Sequence, residues 1–330
     1  MARDRDLLIG TGAALVAASC FATLGPLSRF AADAGLGAIA FVAWRAAAGA
    51  LALWAVVAAR GHARAAATSF RALERRGRLS LSIAVLMGFT LNVSIFLAFA
   101  RIPISLALML FYTYPVMVAL VGVITGHDRL SPAKLVALLS ASTGVLLVLI
   151  GGIEVAGATI DPLGVLFGLG AAASQTVFIA VSRAGHRSIR SDAATLAILG
   201  GSVVMGTGVA LVAGQLPELL GPLGSLQSWP FVLAAGIIGA GFPMLLFLGS
   251  IRRIGGTRTA ILMLWEPVMG ALLAAALLAE PLGPIQVVGG ALVLVAAAIL
   301  QVFGRRGESP SGAPPGEAAA EHQTPETSTA

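Results

Sequence analysis

Ten separate stretches of this chain are each long and apolar enough to form a helix across a lipid bilayer, which excludes most folds at once. A helix must run about 20 apolar residues to cross the hydrocarbon core. The stretches cover residues 7–30, 36–59, 79–100, 103–125, 132–151, 162–183, 193–214, 229–250, 257–279 and 284–303. Inside a bilayer every backbone N–H and C=O must be paired within the protein, so an all-α integral membrane bundle is the expected result. Composition agrees: 11% of the residues are charged, against about a quarter in a soluble domain. The first stretch resembles a leader ending at Ala18-Ser19-Cys20, but its apolar run continues to Phe30, and Asp4 and Asp6 dilute its basic start. It is expected as the first spanning helix.

The basic residues orient the bundle, because short cytoplasmic loops accumulate Lys and Arg. With the N-terminus inside, 18 of the 21 basic residues fall on the cytoplasmic side: Arg3 and Arg5, the cluster from Arg60 to Arg78, Arg129 and Lys134, Arg183, Arg187 and Arg190, Arg252, Arg253 and Arg258, then Arg305 and Arg306. Arg101 alone falls in an outer connection, while Arg29 and Arg45 lie within helices. The outer connections hold acids instead: Asp33, Glu154, Asp161, Glu218 and Glu280. One missed or extra crossing would scramble this alternation, so ten crossings with both termini cytoplasmic are expected. The net charge of +6 therefore serves membrane topology, and no nucleic-acid partner is expected. The last segment, 307–330, is rich in Pro, Ser, Thr, Glu and Ala and reads as a disordered cytoplasmic tail.

A shift of 152 residues lays YPVMVALVGVITGHDRLSPAKLV (114–136) over EPVMGALLAAALLAEPLGPIQVV (266–288), with eight of 23 positions identical. Apolar bias inflates such matches, but it does not explain Pro115 over Pro267, Pro132 over Pro284, or Asp128 over Glu280. Upstream, Arg101-Ile102 falls over Arg253-Ile254. The shift spans five helices, an odd number, so the second copy is expected to enter the membrane in the opposite sense. Residues 1–151 and 152–306 thus read as two inverted five-helix repeats. Such halves can exchange conformations and open one central site to each side in turn, as secondary transporters do. Interrupted helices at matching places mark the site, here the fourth and ninth stretches with Pro115 and Pro267. Lys134 is the sole lysine, so no G-x-x-x-x-G-K-[ST] phosphate loop exists, and any work must use gradients or exchange.

With these features the chain resembles the EamA-type proteins of the drug/metabolite transporter superfamily over residues 7–303. The resemblance rests on the ten-helix inverted repeat, the Arg within FVAWRAAAGAL, Pro115 in YTYPVMVAL, and WEPVMGALLAAALLAEPLGPIQVVGGALVL. The first repeat departs from the pattern, with Tyr114 where the second has Glu266 and Asp128 where Glu is usual. The resemblance implies movement of a small organic metabolite across the cell (inner) membrane, commonly export of amino acids or related compounds. It also implies a cavity between the first, third, fourth, sixth, eighth and ninth helices. Each half's last helix would pack at the periphery or against a second copy. Broad drug or toxic-compound efflux is the alternative cargo reading.

Glu266 sits mid-helix, where an ionised side chain costs several kcal/mol unless it meets a partner or water. Three roles fit: a proton carrier, a counter-charge for a substrate ammonium, and a group that satisfies backbone freed by Pro267. Arg45, midway along the second helix, raises the same cost. Because the resemblance keeps that helix off the cavity, Arg45 is expected to hold the fold, bonding carboxylates or helix-end carbonyls. On the implied lining helices, Ser19 and Thr23 share a face with Pro26 by i, i+4, i+7 spacing. Asn92, Tyr112, Tyr114, Ser174, Gln175, Phe178, Phe242 and Trp265 complete the candidate lining; taken singly, each has a packing explanation. The rings suit a moderately sized amphipathic solute, and Asn, Gln and Glu could read its polar groups. The expected partners are that solute, the bilayer, a proton if Glu266 carries one, and a second copy.

An intramembrane enzyme is the rival from another class. All four histidines, His62, His127, His186 and His322, fall in connections or the tail, and neither a metal-ligand cluster nor an intramembrane acidic pair occurs, so no cofactor or metal is expected. A passive channel would call for a ring of charge or a filter loop, and neither is visible.

Overall fold

Prolines decide which of the expected crossings stay whole and which break. A computed structural model of the chain describes residues 2–99, 101–102, 104–126, 131–151, 161–184, 189–224, 226–278 and 283–303. In chain order its helices are α1 Ala2–Ala22, α2 Leu24–Asp33, α3 Ala38–Ala59, α4 Ala63–Arg71, α5 Arg75–Phe99, α6 Ile104–Phe111, α7 Tyr114–Ile124, α8 Pro132–Gly151, α9 Pro162–Ala184, α10 Ser191–Val212, α11 Leu216–Gly224, α12 Trp229–Gly236, α13 Phe242–Ile254, α14 Gly256–Met263, α15 Trp265–Leu278 and α16 Pro284–Phe303. No strand occurs among the described residues. Asp128, Glu154, Glu280, Arg129, Arg187, Arg305, Arg306, His127, His186, His322 and the segment 307–330 lie outside them, as does the side chain of Arg29.

Four stretches expected as single helices are each in two pieces. The first breaks at Thr23, the fourth between Phe111 and Tyr114, and the ninth at Leu264; the eighth carries a five-residue π-turn, Ile237–Gly241. Each break lies just before a proline or ends against one: Pro26, Pro115, Pro267 and Pro243. Proline has no N–H and its ring crowds the carbonyl four residues back, so the ladder opens there. The freed groups find local partners. Thr113 Oγ1 donates to the Leu110 carbonyl at 2.7 Å, Thr23 Oγ1 donates to that of Cys20 at 2.7 Å, and the Leu264 N–H tightens onto Ile261 at 3.1 Å.

Six spans among the described residues are long and apolar enough to cross a bilayer: Arg5–Asp33, Ile39–Ala59, Arg75–Ile95, Pro162–Arg183, Ser191–Val212 and Leu226–Ile254. The shorter apolar helices Tyr114–Ile124, Pro132–Leu147 and Val287–Ile299 accompany them. The protein is therefore a multi-pass membrane protein. Two connections, read in the sequence as loops, contain the short helices α4 and α11.

The helices pair in a pattern that survives the five-helix shift. α5 packs along α9 as α13 packs along α1; α6 and α7 lie against α9 as α14 and α15 lie against α1; α3 pairs with α10, and α8 with α16. Lipid offers no hydrophobic drive for helix association, so small residues and close backbone approach must supply it. A Cβ on Gly144 would stand 2.6 Å from the Gly289 carbonyl oxygen, and one on Gly236 would stand 2.8 Å from that of Arg45. Glycine is what lets α8 meet α16, and α12 meet α3, at backbone distance.

Candidate functional site

The breaks of the fourth and ninth stretches come together, with α7 packed against α14. Tyr112 and Tyr114 flank the break between α6 and α7, Glu266 opens α15, and the two tyrosines stand within electrostatic reach of the Glu266 carboxyl. Phe111 draws the tyrosines into one ring cluster, with its centroid 5.2 Å from each. Tyr114, only 1% exposed, directs its hydroxyl at the Ala260 carbonyl on α14, 3.5 Å away. The first elbow thus touches the half-helix leading into the second.

On the other side of the elbows, α1 supplies Ser19. The Trp265 indole N–H donates to Ser19 Oγ at 3.0 Å, and Ser19 in turn donates to the Leu15 carbonyl at 3.0 Å. Trp265 and Ser19, two of the expected lining residues, are therefore bonded to one another. Thr23 spends its hydroxyl on the break in its own helix. Phe178, 1% exposed, stacks on Phe247 with centroids 6.2 Å apart and planes within 7°, while Phe21 meets Phe247 edge-on at 6.4 Å. Ser174 and Gln175 are buried on α9 beside this stack. Phe242, 49% exposed, stands apart from both ring clusters.

Glu266 is half-buried, and among the described residues no hydrogen bond or ion pair reaches its carboxyl. Arg45 does not serve it. The Arg45 guanidinium, 7% exposed, donates through Nη2 to Asn92 Oδ1, and Asn92 Nδ2 donates to the Gly88 carbonyl at 2.7 Å. The partner is an amide on α5, where the sequence suggested carboxylates or helix-end carbonyls. Asn92 is accordingly engaged with Arg45 rather than left unbonded, and Arg45 Nε is buried without an acceptor.

Phe21 and Phe111 were missed in the sequence. An aromatic ring in an apolar helix carries no mark of its own; only the register of neighbouring helices shows that it closes a cluster. Among the described residues no group of His, Cys, Asp and Glu is arranged to hold a metal ion.

Comparison with known proteins gives the fold a context. The model of the EamA-like transporter family matches this chain twice, over residues 8–150 and 162–302. A protein of Archaeoglobus fulgidus described as an uncharacterized transporter is 26% identical over 224 residues, covering 68% of this chain and 76% of its own length. A crystal structure superposes with a TM-score of 0.74, covering 91% of this chain and 99% of the other at 21% identity. That likeness establishes the fold alone.

Proposed function

This chain belongs to the EamA-like transporter family, and we propose that it is a secondary transporter that exports a small organic metabolite, an amino acid or related compound, across the cytoplasmic membrane by alternating access. The family is one of transporters, which supports transport over intramembrane enzyme chemistry. In this reading the ten stretches cross as two repeats of opposite orientation, 1–151 and 152–306, with both termini and the tail 307–330 cytoplasmic. The segregation of 18 basic residues to one side supports that topology. So does the exchange of partners, in which each half's first helix packs on the other half's third.

One observation carries the proposal: the pair of matched elbows. The breaks at Tyr112 and Leu264 fall 152 residues apart in the sequence, the offset of the repeat itself, and each precedes a proline. Half-helices ending inside a bilayer point their partial charges at whatever lies between them, positive from N-termini and negative from C-termini. In this arrangement the rings of Tyr112, Tyr114, Phe178 and Trp265 bound the solute's apolar body, and Gln175 and Ser174 offer polar contacts. Glu266 is the titratable group at the junction. Because no backbone group among the described residues bonds its carboxyl, proton carriage or pairing with an ammonium fits it better than a kink-holding role.

The test is transport by the full chain in proteoliposomes, with candidate solutes chosen from metabolites whose levels differ between cells with and without the protein. Glu266→Gln removes the charge while keeping the shape. Loss of pH dependence in the variant supports proton carriage; unchanged transport with unchanged pH dependence discards it. Failure of the wild type to move any metabolite between compartments would overturn the proposal as a whole.

A further inference from the structure

The connection that joins α3 to α5 through α4 carries six arginines, Arg60, Arg64, Arg71, Arg75, Arg76 and Arg78, and a single acid, Glu74. All six are exposed, and among the described residues no hydrogen bond or ion pair reaches their guanidinium groups. The other basic segments assigned to the same side hold two or three basic residues each. Some of those are visibly engaged: Arg190 pairs with Asp192 at 2.8 Å, and Arg252 donates to the Ile189 carbonyl at 2.8 Å. Topology accounts for the sign of the charge on this connection. It does not account for twice the usual number left unpaired.

Local folding does not require the arginines either. Ala66 and Phe70 of α4 turn into the main core, with Leu73 just beyond the helix, and α4 rests on α10 and α3. His62, its N-cap residue, meets Arg190, with Nδ1 and Nη2 3.2 Å apart. The opposite face presents Arg64, Thr68 and Arg71 at i, i+4, i+7, all exposed. These cations therefore stand on a docked helix. In the second half α11 occupies the equivalent connection, and residues 212–230 contain no basic residue at all. Arg75, Arg76 and Arg78 open α5, the end at which a helix disfavours cations. Their charge serves something outside the fold.

Chain position sets their depth. Arg75 begins one membrane span, and Arg60 caps α3 at the end of another. Leu79, Ser82 and Leu86 are exposed and follow Arg75 at i+4, i+7 and i+11, so they continue its line along α5. On α3, Val56 is exposed one turn before Arg60, and Trp54, 57% exposed, lies within two turns. Exposed apolar stripes of a multi-pass protein meet acyl chains, so the arginines at their ends stand level with the headgroups. Guanidinium forks pair with phosphate oxygens through parallel N–H···O bonds, and basic clusters beside a spanning helix attract anionic lipid. We propose that the corner formed by α3, α4 and α5 is a binding site for an anionic phospholipid. Its phosphate pairs with the arginines at the ends of α3 and α5, while Arg64 and Arg71 strengthen the field. Only the choice of the cytoplasmic leaflet rests on the topology proposed above.

Trp54 is a built-in reporter of the lipid at this corner. The experiment places the full chain in phosphatidylcholine vesicles containing rising fractions of brominated phosphatidylglycerol or brominated phosphatidylcholine, and follows the quenching of tryptophan fluorescence at low and high salt. Trp54→Phe isolates the contribution of that ring. The expected result is a preference for phosphatidylglycerol at Trp54 of about fivefold or more at low salt, weakened by high salt. It should fall to none when Arg60→Gln, Arg75→Gln and Arg76→Gln are combined, a variant that keeps Arg64, Arg71 and Arg78 for orientation. Lysine at the same three positions should retain part of the preference, and it carries the test if the glutamine variant does not insert. Equal quenching by the two lipids in the wild type, or a preference that survives the glutamine variant, overturns the site. Binding of inorganic polyphosphate by the same arginines without any lipid preference assigns the surface to a soluble polyanion and overturns the lipid site. The leaflet is tested with Thr68→Cys in a Cys20→Ala background and an impermeant maleimide. Labelling in inside-out vesicles alone supports the cytoplasmic leaflet. Labelling of intact cells overturns that leaflet and the topology while the lipid site stands; cytoplasmic labelling without lipid preference does the reverse.

Discussion

Arg101 and Arg253 occupy equivalent places in the two halves, and comparing what each holds shows how one skeleton supports two conditions. Both sit near the end of their half's third crossing, and both press against a glycine of the other half: a Cβ on Gly164 would meet Ile102 Cγ2 at 2.6 Å, and one on Gly10 would meet Ile254 Cγ2 at 2.5 Å. The charges they face also match, Asp161 before α9 and Asp6 in the first turns of α1. The first clasp is closed. Arg101 Nη1 donates to Asp161 at 3.0 Å and its guanidinium lies 5.9 Å from the Phe167 ring centroid, while Asp161 also accepts the Leu163 N–H at 2.9 Å. The second is slack: Arg253 Nε stands 4.0 Å from Asp6, and Nη1 turns back to the Gly249 carbonyl at 3.2 Å. Steric contacts repeat across the halves where electrostatic ones do not. Under the alternating-access reading proposed above, polar ties of this kind are the ones that would open on one side while they hold on the other.

The elbows carry the same lesson further inside, and the largest predicted effect tests it there. Tyr114 and Glu266 are equivalent by sequence, yet only Glu266 can carry charge in the physiological range. Glu266→Gln is expected to lower proton-driven transport about tenfold or more, equivalent to about 1.4 kcal/mol, whereas Tyr114→Phe, which keeps the ring cluster, should change it little. Equal losses in the two variants would mean that the acid has no special role.

Next comes the Arg45–Asn92 bond, which the second half lacks, having Ala197 and Met244 at the equivalent positions. Asn92→Leu strips a buried guanidinium of its acceptor, and a hydrogen bond to a charged group contributes about 1.5–3 kcal/mol. Thermal unfolding in detergent should report that loss, while Met244→Leu should leave stability nearly unchanged. A silent Asn92→Leu would show that water reaches Arg45.

Gly10→Val and Gly164→Val should destabilise to similar extents, by about 1–3 kcal/mol each, because both force a side chain into an isoleucine across the repeat boundary. Gly270→Ala, where a Cβ meets nothing within 4 Å, is the control. A large difference between Gly10→Val and Gly164→Val would break the equivalence of the halves.

The smallest effect belongs to the clasps. The hydrogen bond from Arg101, then that from the Leu163 N–H, holds the Asp161 carboxyl below the usual carboxylate range. A lowered folded-state pKa adds stability that is present above the unfolded value and is lost as the pH falls through the folded one. Asp161→Asn should therefore cost little at neutral pH, since exposed pairs contribute weakly, and should abolish whatever acid-dependent melting the closed clasp provides.

Much of the architecture was legible in the linear chain because the bilayer is an exacting solvent. Apolar length and the 152-residue offset are set by hydrocarbon thickness and duplication, neither of which needs a contact to be known. The prolines likewise marked where the fourth and ninth stretches would open, since a missing N–H is a property of the residue itself. The sequence did not reveal that the first and eighth stretches would be interrupted too, because their prolines have no matching partner at the repeat offset to draw notice.

Tertiary structure alone decided who meets whom. Trp265 and Ser19 are 246 positions apart, and Arg45 chose Asn92 over any acid; both choices depend on the rotation of whole helices about their axes, which apolar periodicity leaves nearly free when every face is apolar. Thr257 reads as an ordinary helix-start threonine until the packing of the neighbouring helices buries it and leaves its hydroxyl without a hydrogen-bond partner. Burial is a property of neighbours, and it is what decides whether the same hydroxyl, carboxylate or guanidinium must find its partner inside the protein.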